Sequence, residues 1–209
     1  MGRDLYETFP IARQTIDEAD AILSSIPPSS PSSPQHQEKG YLKRVMFEGP
    51  QEELTRTENA QPAILTTSIA MLRVLETEQG LDLKESCRFA LGHSLGEYSA
   101  LVATRALSLA DAVRLVRIRG DAMAKAVTDK KGMTAMSALV VRASKLDDLV
   151  KAMYDIQTEL SSAGEIAEIA NINSSFQVVI SGTVKGVDHA SKTLQFRKIA
   201  ARAVDLPVS

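Results

Sequence analysis

The second half of the chain carries a pattern of strands and helices that few folds accommodate. Runs rich in β-branched and apolar residues alternate there with segments that carry apolar residues at helical spacing. The order is strand, helix, strand, strand, helix, strand, at residues 133–141, 145–160, 166–172, 177–181, 184–194 and 199–206. This β-α-β-β-α-β order predicts a ferredoxin-like subdomain, which we place at residues 130–206.

The first half is predicted to be mainly helical, with one short strand. The predicted helices span residues 10–23, 50–54, 63–75, 95–106 and 109–127, and the strand spans residues 87–91. The stretch 24–40 is rich in serine and proline, so we expect a disordered surface loop there. We assign residues 1–129 to a separate α/β subdomain, to which residues 207–209 return.

Composition excludes several classes of function. The 209 residues carry a net charge of -2, so no overall basic field favours nucleic acid or an anionic membrane. Cys87 is the single cysteine, which rules out an internal disulfide, and the sequence lacks the His/Cys clusters of a structural metal site. No apolar run approaches the length needed for membrane insertion. We expect an intracellular, reducing compartment.

A short glycine-rich motif follows the predicted strand and opens the next helix. Its residues, Gly92-His93-Ser94-Leu95-Gly96, match the G-x-S-x-G pattern of a nucleophile elbow. Such a turn presents the serine hydroxyl at a helix N-terminus, where the backbone N–H of Leu95 can stabilise an oxyanion. The alternative is a plain strand-to-helix connection in which Ser94 only caps the helix.

A serine nucleophile needs a base, usually a histidine. The sequence contains three histidines. His93 is adjacent to Ser94 on the turn and is expected to point elsewhere, His36 lies in the Ser/Pro-rich stretch, and His189 lies in a predicted helix of the small subdomain. None of them is a convincing base for Ser94.

The motif and its continuation, residues 92–101, resemble the active-site signature of malonyl-CoA:acyl-carrier-protein acyltransferases. Further segments resemble that family in the same order, at residues 49–54, 61–65, 112–116 with 119–120, 171–174, 177–182 and 206–209. The resemblance implies an α/β-hydrolase-like large subdomain, here incomplete, with the ferredoxin-like subdomain inserted. It also implies that Ser94 takes malonyl from malonyl-CoA and passes it to acyl carrier protein. Malonyl-CoA is the substrate in this reaction, and no cofactor is expected.

The resemblance assigns recognition of the malonyl carboxylate to Arg119, and places His93 and Asn173 beside the substrate. Helical periodicity points independently to Arg119. The wheel puts an apolar cluster on one face (Ala112, Leu115, Val116, Met123 and Ala126) and a polar group opposite it (Arg114, Arg117, Asp121 and Lys125). Arg119 lies within the apolar cluster, where a guanidinium needs an anionic partner. The alternative is that Arg119 snorkels to water or forms a structural ion pair.

The resemblance also implies that two parts of the family's active site lie outside this sequence. A Gly-Gln-Gly segment would precede residue 1, and the catalytic histidine would follow Ser209. We therefore expect a fragment that is weakly active or inactive alone, and a monomer when complete. A serine (thio)esterase and an inactive fragment that only binds coenzyme A or carrier protein are the alternative functions. A mitochondrial location is expected, with the cytoplasm as the alternative.

Overall fold

The computed structural model describes residues 1–27, 38–128 and 133–206. The chain divides into two compact units, Met1–Lys125 and Ala126–Ser209. The domain limits drawn from the sequence stay predictions, because residues 129–132 at the boundary and residues 207–209 at the end lie outside the described residues.

The described part of the first unit is helical. Its helices are α1 (Arg3–Thr8), α2 (Pro10–Ser24), α3 (Tyr41–Phe47), α4 (Gln51–Thr55), α5 (Thr57–Gln79), α6 (Leu83–Ser86), α7 (Leu95–Ala103) and α8 (Leu109–Thr128), which ends just past the unit boundary. Helix α2 has Pro10 at its first position, as predicted. Helix α5 is longer than the predicted 63–75, because it begins at Thr57, contains Pro62 and continues to Gln79, just before Gly80. Ser108 caps α8, because its hydroxyl accepts the Asp111 N–H at 3.0 Å and donates to Asp111 Oδ2 at 2.6 Å.

The core of this unit forms between α2, α3, α5 and α8. Apolar side chains from all four helices meet in one buried cluster, among them Leu23, Leu42, Val45, Leu65 and Val116. Burial of such side chains is the main term that stabilises the packed helices.

The connection between α2 and α3 is held at its two ends. The buried carboxylate of Asp20 accepts hydrogen bonds from Gly40 N and Leu42 N at 2.9 Å each and from Lys43 N at 3.3 Å, which caps α3. Ser24 is the last residue of α2, and its hydroxyl donates to the Glu38 carbonyl at 3.2 Å. Residues at both ends of the stretch 24–40 thus make hydrogen bonds to neighbouring helices or loops, and residues 28–37 lie outside the described residues. The disorder of this stretch stays a prediction.

The predicted strand at residues 87–91 is absent. This segment is irregular, with Phe89 78% exposed and Leu91 88% exposed. A strand exists only when a neighbour supplies its ladder of hydrogen bonds. The described residues of the first unit contain no other strand that could do so. The local pattern was strand-like, but it had no described partner.

The second unit has the predicted order of elements. It contains β1 (Thr134–Val141), α9 (Leu146–Ser161), β2 (Ala167–Ser174), β3 (Gln177–Thr183), α10 (Val184–Phe196) and β4 (Ala200–Leu206). The sheet order is β2-β3-β1-β4 and every neighbouring pair is antiparallel. Apolar residues of the sheet, such as Leu139 and Ile180, pack with Ile156 of α9 and Leu194 of α10. The ferredoxin-like prediction is confirmed.

Candidate functional site

Ser94 lies at the sharp turn that opens α7, in a backbone conformation that is rare for serine. Its φ is 52° and its ψ is -108°. Two hydrogen bonds tighten the turn, from Gly96 N to the His93 carbonyl at 2.8 Å and from Glu97 N to the Ser94 carbonyl at 3.3 Å. A non-glycine residue held in such a conformation is strained, and strain of this kind is concentrated at functional sites.

The turn brings two glycine backbones into contact. A Cβ atom built on Gly92 would lie 1.9 Å from the carbonyl carbon of Gly96 and 2.0 Å from its oxygen. A Cβ on Gly96 would meet nothing within 4 Å. Glycine is therefore required at residue 92, because the backbone of Gly96 leaves no room for a side chain. At residue 96 there is room for one.

Leu95 is the first residue of α7. Its N–H is one of the first four in the helix, which have no acceptor within the helix, and it lies at the positive end of the helix dipole. This position suits the oxyanion donor that the sequence predicted, although the role itself stays a prediction.

The structure brings Arg119 and Ser94 together. Arg119 Nη2, on α8, donates a hydrogen bond to Ser94 Oγ at 2.7 Å. Arg119 is half-buried rather than enclosed, so water and a ligand can both reach its guanidinium. Because a guanidinium stays protonated in proteins, Arg119 cannot act as the base for Ser94, but it can bind an anion beside it.

Gln61 also belongs to this site, although its sequence position did not predict it. Its Oε1 accepts a hydrogen bond from Arg119 Nη1 at 2.6 Å, and its Nε2 donates to Thr57 Oγ1 at 2.9 Å and to Met123 Sδ at 3.5 Å. Gln61 is only 5% exposed. A glutamine next to the apolar run of α5 was the available signal, because a buried amide must find hydrogen-bond partners.

The buried face of α8 differs from the predicted one. Residues 112, 113, 116, 117 and 120 are buried on one side of the helix. Leu115, Met123 and Ala126, which were assigned to the apolar face, are exposed. Arg117, which was assigned to the polar face with Asp121, is only 2% exposed.

The burial of Arg117 has a tertiary cause. Its Nη1 donates to the Glu58 carbonyl at 3.1 Å and to Asn59 Oδ1 at 3.0 Å, and its Nη2 lies 3.0 Å from Asp121 Oδ1. These acceptors come from α5 and from the next turn of α8. Periodicity within α8 could not show them.

For the remaining predicted site residues and histidines, the structure shows only the contacts within their own unit. His93 is exposed on the turn. Asn173 belongs to the second unit, where its Nδ2 donates to Gln177 Oε1 at 3.2 Å. Their assignment to substrate binding stays a prediction. His189 is in α10, 3.6 Å from Glu159, and His36 lies outside the described residues.

Two searches of the described residues found no further kind of site. Across residues 1–27, 38–128 and 133–206, no group of three His, Cys, Asp or Glu side chains is arranged to hold a metal ion. Within the same ranges, none of the helices has the length and apolar character needed to cross a membrane.

Comparison with known proteins gives a consistent picture. Residues 1–208 match the family described as "Acyl transferase domain". The chain is 43% identical over 209 residues to the malonyl CoA-acyl carrier protein transacylase of Bacillus subtilis (strain 168), covering 100% of this chain and 57% of that protein. It is 37% identical over 210 residues to the protein of the same name from Escherichia coli (strain K12), covering 100% of this chain and 58% of that protein.

Solved structures agree. The acyl-carrier-protein-S-malonyltransferase of Bartonella henselae matches with a TM-score of 0.81 and 40% identity, over 100% of this chain and 58% of that one. A malonyl-transacylase in complex with a type II PKS acyl-carrier protein matches with a TM-score of 0.79 and 33% identity, over 100% and 58%. The chain thus spans somewhat more than half the length of these relatives.

Proposed function

This chain belongs to the acyl transferase domain family, and from that premise we propose that it transfers malonyl from coenzyme A to acyl carrier protein in fatty acid biosynthesis. The relatives named malonyl CoA-acyl carrier protein transacylase support this function. So does the solved complex between a malonyl-transacylase and an acyl-carrier protein. Within the chain itself, the observation that carries the proposal is the contact between Ser94 Oγ and Arg119 Nη2.

The proposed reaction has two halves with Ser94 as the acyl acceptor. In the first, Ser94 Oγ attacks the thioester carbonyl of malonyl-CoA, a base takes the hydroxyl proton, and the C–S bond breaks to release coenzyme A as its thiol. In the second, the thiol of the carrier protein attacks the ester carbonyl, and Ser94 Oγ leaves and regains a proton. In this scheme the oxyanion of each half forms at the N-terminus of α7, and the N–H of Leu95, the first residue of that helix, donates to it.

Arg119 supplies selectivity for malonyl in this scheme. The free carboxylate of a malonyl group on Ser94 lies only two carbon–carbon bonds from the ester carbonyl. A guanidinium that already contacts Ser94 Oγ is within reach of that carboxylate and can bind it with two parallel hydrogen bonds. An acetyl group has no carboxylate and gains nothing from this contact.

Labelling with radioactive malonyl-CoA tests the proposal. Because the chain alone is expected to be at most weakly active, we expect slow labelling of Ser94 that is lost in Ser94→Ala, kept in the control Ser86→Ala on the exposed surface of α6, and discharged slowly when acyl carrier protein is added. Release of free malonate instead of transfer would indicate a hydrolase. An absence of label would indicate a chain that only binds its ligands.

The same assay tests the role of Arg119. Arg119→Ala should lose the preference for malonyl-CoA over acetyl-CoA while still accepting acetyl. Unchanged selectivity in that variant would refute the assignment of the carboxylate to Arg119.

A further inference from the structure

Helix α8 lies against the backbone of α5 at one close contact. A Cβ atom on Gly120 would lie 2.5 Å from the Cα of Glu58 and 3.0 Å from the Thr57 carbonyl oxygen. Only a residue without a side chain allows this approach. The contact fixes where α8 meets the first turn of α5. The apolar core residues of α8, Ala112, Val113 and Val116, lie one to two turns earlier, so other contacts are needed to hold the rotation of α8 at Arg119.

Two arginines flank this contact on opposite sides of α8. At about 100° per residue, Arg117 lies about 60° to one side of Gly120 and Arg119 lies about 100° to the other side. Arg117 donates to the Glu58 carbonyl and to Asn59 Oδ1, and Arg119 donates to Gln61 Oε1. Both arginines therefore donate hydrogen bonds to the same short stretch of α5, one on each side of the point of closest approach.

The hydrogen bonds of Arg117 to α5 are held in place more firmly than that of Arg119. Its guanidinium is buried and is paired with Asp121 within α8 at 3.0 Å. Its acceptor Asn59 is held in turn, because Asn59 Oδ1 accepts from the Tyr41 hydroxyl at 3.2 Å and Asn59 Nδ2 donates to the Glu53 carbonyl at 2.9 Å. Arg117 is thus tied through one buried amide to α3 and α4 as well as α5.

We propose that Arg117 is a positioning residue that sets the rotation of α8 and thereby holds the Arg119 guanidinium at Ser94, so that it controls selectivity for acyl groups that carry a carboxylate. This inference rests on the proposed function and adds to it a buried residue that does not touch the acyl group. Arg117 acts through Arg119, whose Nη2 is the atom that contacts Ser94 Oγ.

The position of the Arg119 guanidinium is sensitive to small rotations of α8. The side chains of a helix reach about 6 Å from its axis, so a rotation of about 10° moves their tips by about 1 Å. A displacement of about 1 Å in a positioning group can cost up to about 100-fold in rate. Loss of the Arg117 contacts is therefore expected to disturb the 2.7 Å contact between Arg119 and Ser94 although neither of these two residues is substituted.

The test is a double-mutant cycle on the 209-residue chain. The acylation rate of Ser94 is measured with malonyl-CoA and with acetyl-CoA for the wild type, Arg117→Met, Arg119→Ala and the double variant. We expect Arg117→Met to lower the malonyl rate about tenfold more than the acetyl rate, and we expect this difference to vanish in the Arg119→Ala background. Equal slowing of the rates with both thioesters, or a selectivity effect that persists without Arg119, would overturn the proposal.

Matched variants separate positioning from folding. Arg114→Met removes an exposed arginine of the same helix that pairs with Asp111 at 3.4 Å, and it should leave both rates unchanged. Arg117→Lys keeps the charge but not the planar fork, so it should restore selectivity only in part. If Arg117→Met does not fold, Asp121→Asn removes the anionic partner of Arg117 with little change of shape and should give the same loss of selectivity. Unchanged selectivity in a folded Asp121→Asn variant would then overturn the proposal.

A structural readout distinguishes this inference from the proposed function. If Arg119→Ala leaves the malonyl preference unchanged, the carboxylate role of Arg119 fails, whatever Arg117 does. A crystal structure of Arg117→Met tests the positioning independently of activity. We expect the Arg119 Nη2 to Ser94 Oγ distance to exceed hydrogen-bonding range there. A distance that stays near the 2.7 Å of the wild type would overturn the inference.

Discussion

Gln61 and Arg119 are joined by a 2.6 Å hydrogen bond from Arg119 Nη1 to Gln61 Oε1. The other terminal nitrogen of the same guanidinium contacts Ser94 Oγ. The Gln61 amide is itself oriented, because its nitrogen donates to Thr57 and to Met123. The side chain of Arg119 is therefore held between a fixed acceptor on α5 and the serine that opens α7.

Removing that fixed acceptor should loosen Arg119. Gln61→Ala is expected to lower malonyl-CoA acylation of Ser94 by about tenfold relative to acetyl-CoA, equivalent to about 1.4 kcal/mol, which is the scale of one hydrogen bond to a charged group. Single-turnover labelling with malonyl-CoA and acetyl-CoA measures this change. Gln51→Ala, at an exposed glutamine of α4, is the matched control.

A negative charge at residue 61 should reduce malonyl selectivity more than removal of the side chain does. Gln61→Glu would pair its own carboxylate with Arg119 and so compete with the malonyl carboxylate. We expect a larger loss of malonyl selectivity than in Gln61→Ala, measured with the same two thioesters. A Gln61→Glu variant that keeps the wild-type selectivity would contradict the placement of Gln61 beside the acyl group.

The two glycines of the Ser94 turn should respond differently to alanine. In Gly92→Ala the new Cβ would meet the Gly96 backbone at 1.9 Å, so the turn must distort, at a cost of about 3 kcal/mol or more. In Gly96→Ala the Cβ enters open space within α7, where alanine is the better helix former by up to about 1 kcal/mol. Urea unfolding of both variants measures the difference. Equal destabilisation would contradict the close approach of the two backbones.

The sequence predicts those elements whose signals are local. Pro10 begins α2, Ser108 caps α8, and α5 ends before Gly80, each as the residue type favours. The order of strands and helices in the second unit is equally local, because each element shows its own period. The strand predicted at 87–91 failed because a ladder depends on a neighbour elsewhere in the chain.

The candidate site is only half predictable for the same reason. Ser94 and Arg119 were found from a motif and from a resemblance, and the structure places them in contact. Gln61 and Arg117 were missed, because their roles depend on the pairing of α5 with α8. Helical periodicity counts every charged residue as polar, even when acceptors from another helix allow that residue to be buried.

Asp20 should contribute strongly to the stability of the first unit, although it lies just before a serine- and proline-rich stretch. Its buried carboxylate caps α3 through the backbone N–H groups of Gly40, Leu42 and Lys43. Asp20→Ala leaves these donors without that acceptor and is expected to destabilise the first unit by about 2 kcal/mol. The free energy of unfolding in urea measures the loss.

The control for Asp20 is the carboxylate one turn earlier. Asp17 is partly exposed and pairs with Lys43 at 2.7 Å, so Asp17→Ala should cost less than about 1 kcal/mol. If the two variants were equally destabilised, the capping role of Asp20 would be contradicted.

The stability of the first unit should depend on pH through Glu53. The Arg44 guanidinium donates to both oxygens of the Glu53 carboxylate at 3.0 Å each, and these hydrogen bonds hold the pKa of Glu53 below its usual value of 4.5. The unfolded chain therefore binds this proton at a higher pH than the folded chain does. The stabilisation from Glu53 is fully present above about pH 4.5 and is lost as the pH falls through the lower pKa of the folded state.

Glu53→Gln isolates this contribution. We expect the variant to be less stable than the wild type near neutral pH, and the gap between the two to shrink as the pH falls below about 4.5, because the wild type then loses the same charge. Urea unfolding followed at a series of pH values measures the gap. The neighbouring exposed Glu52→Gln should follow the wild-type curve throughout. A gap between Glu53→Gln and the wild type that stays constant down to low pH would show that the Arg44 pair does not depend on the charge of Glu53.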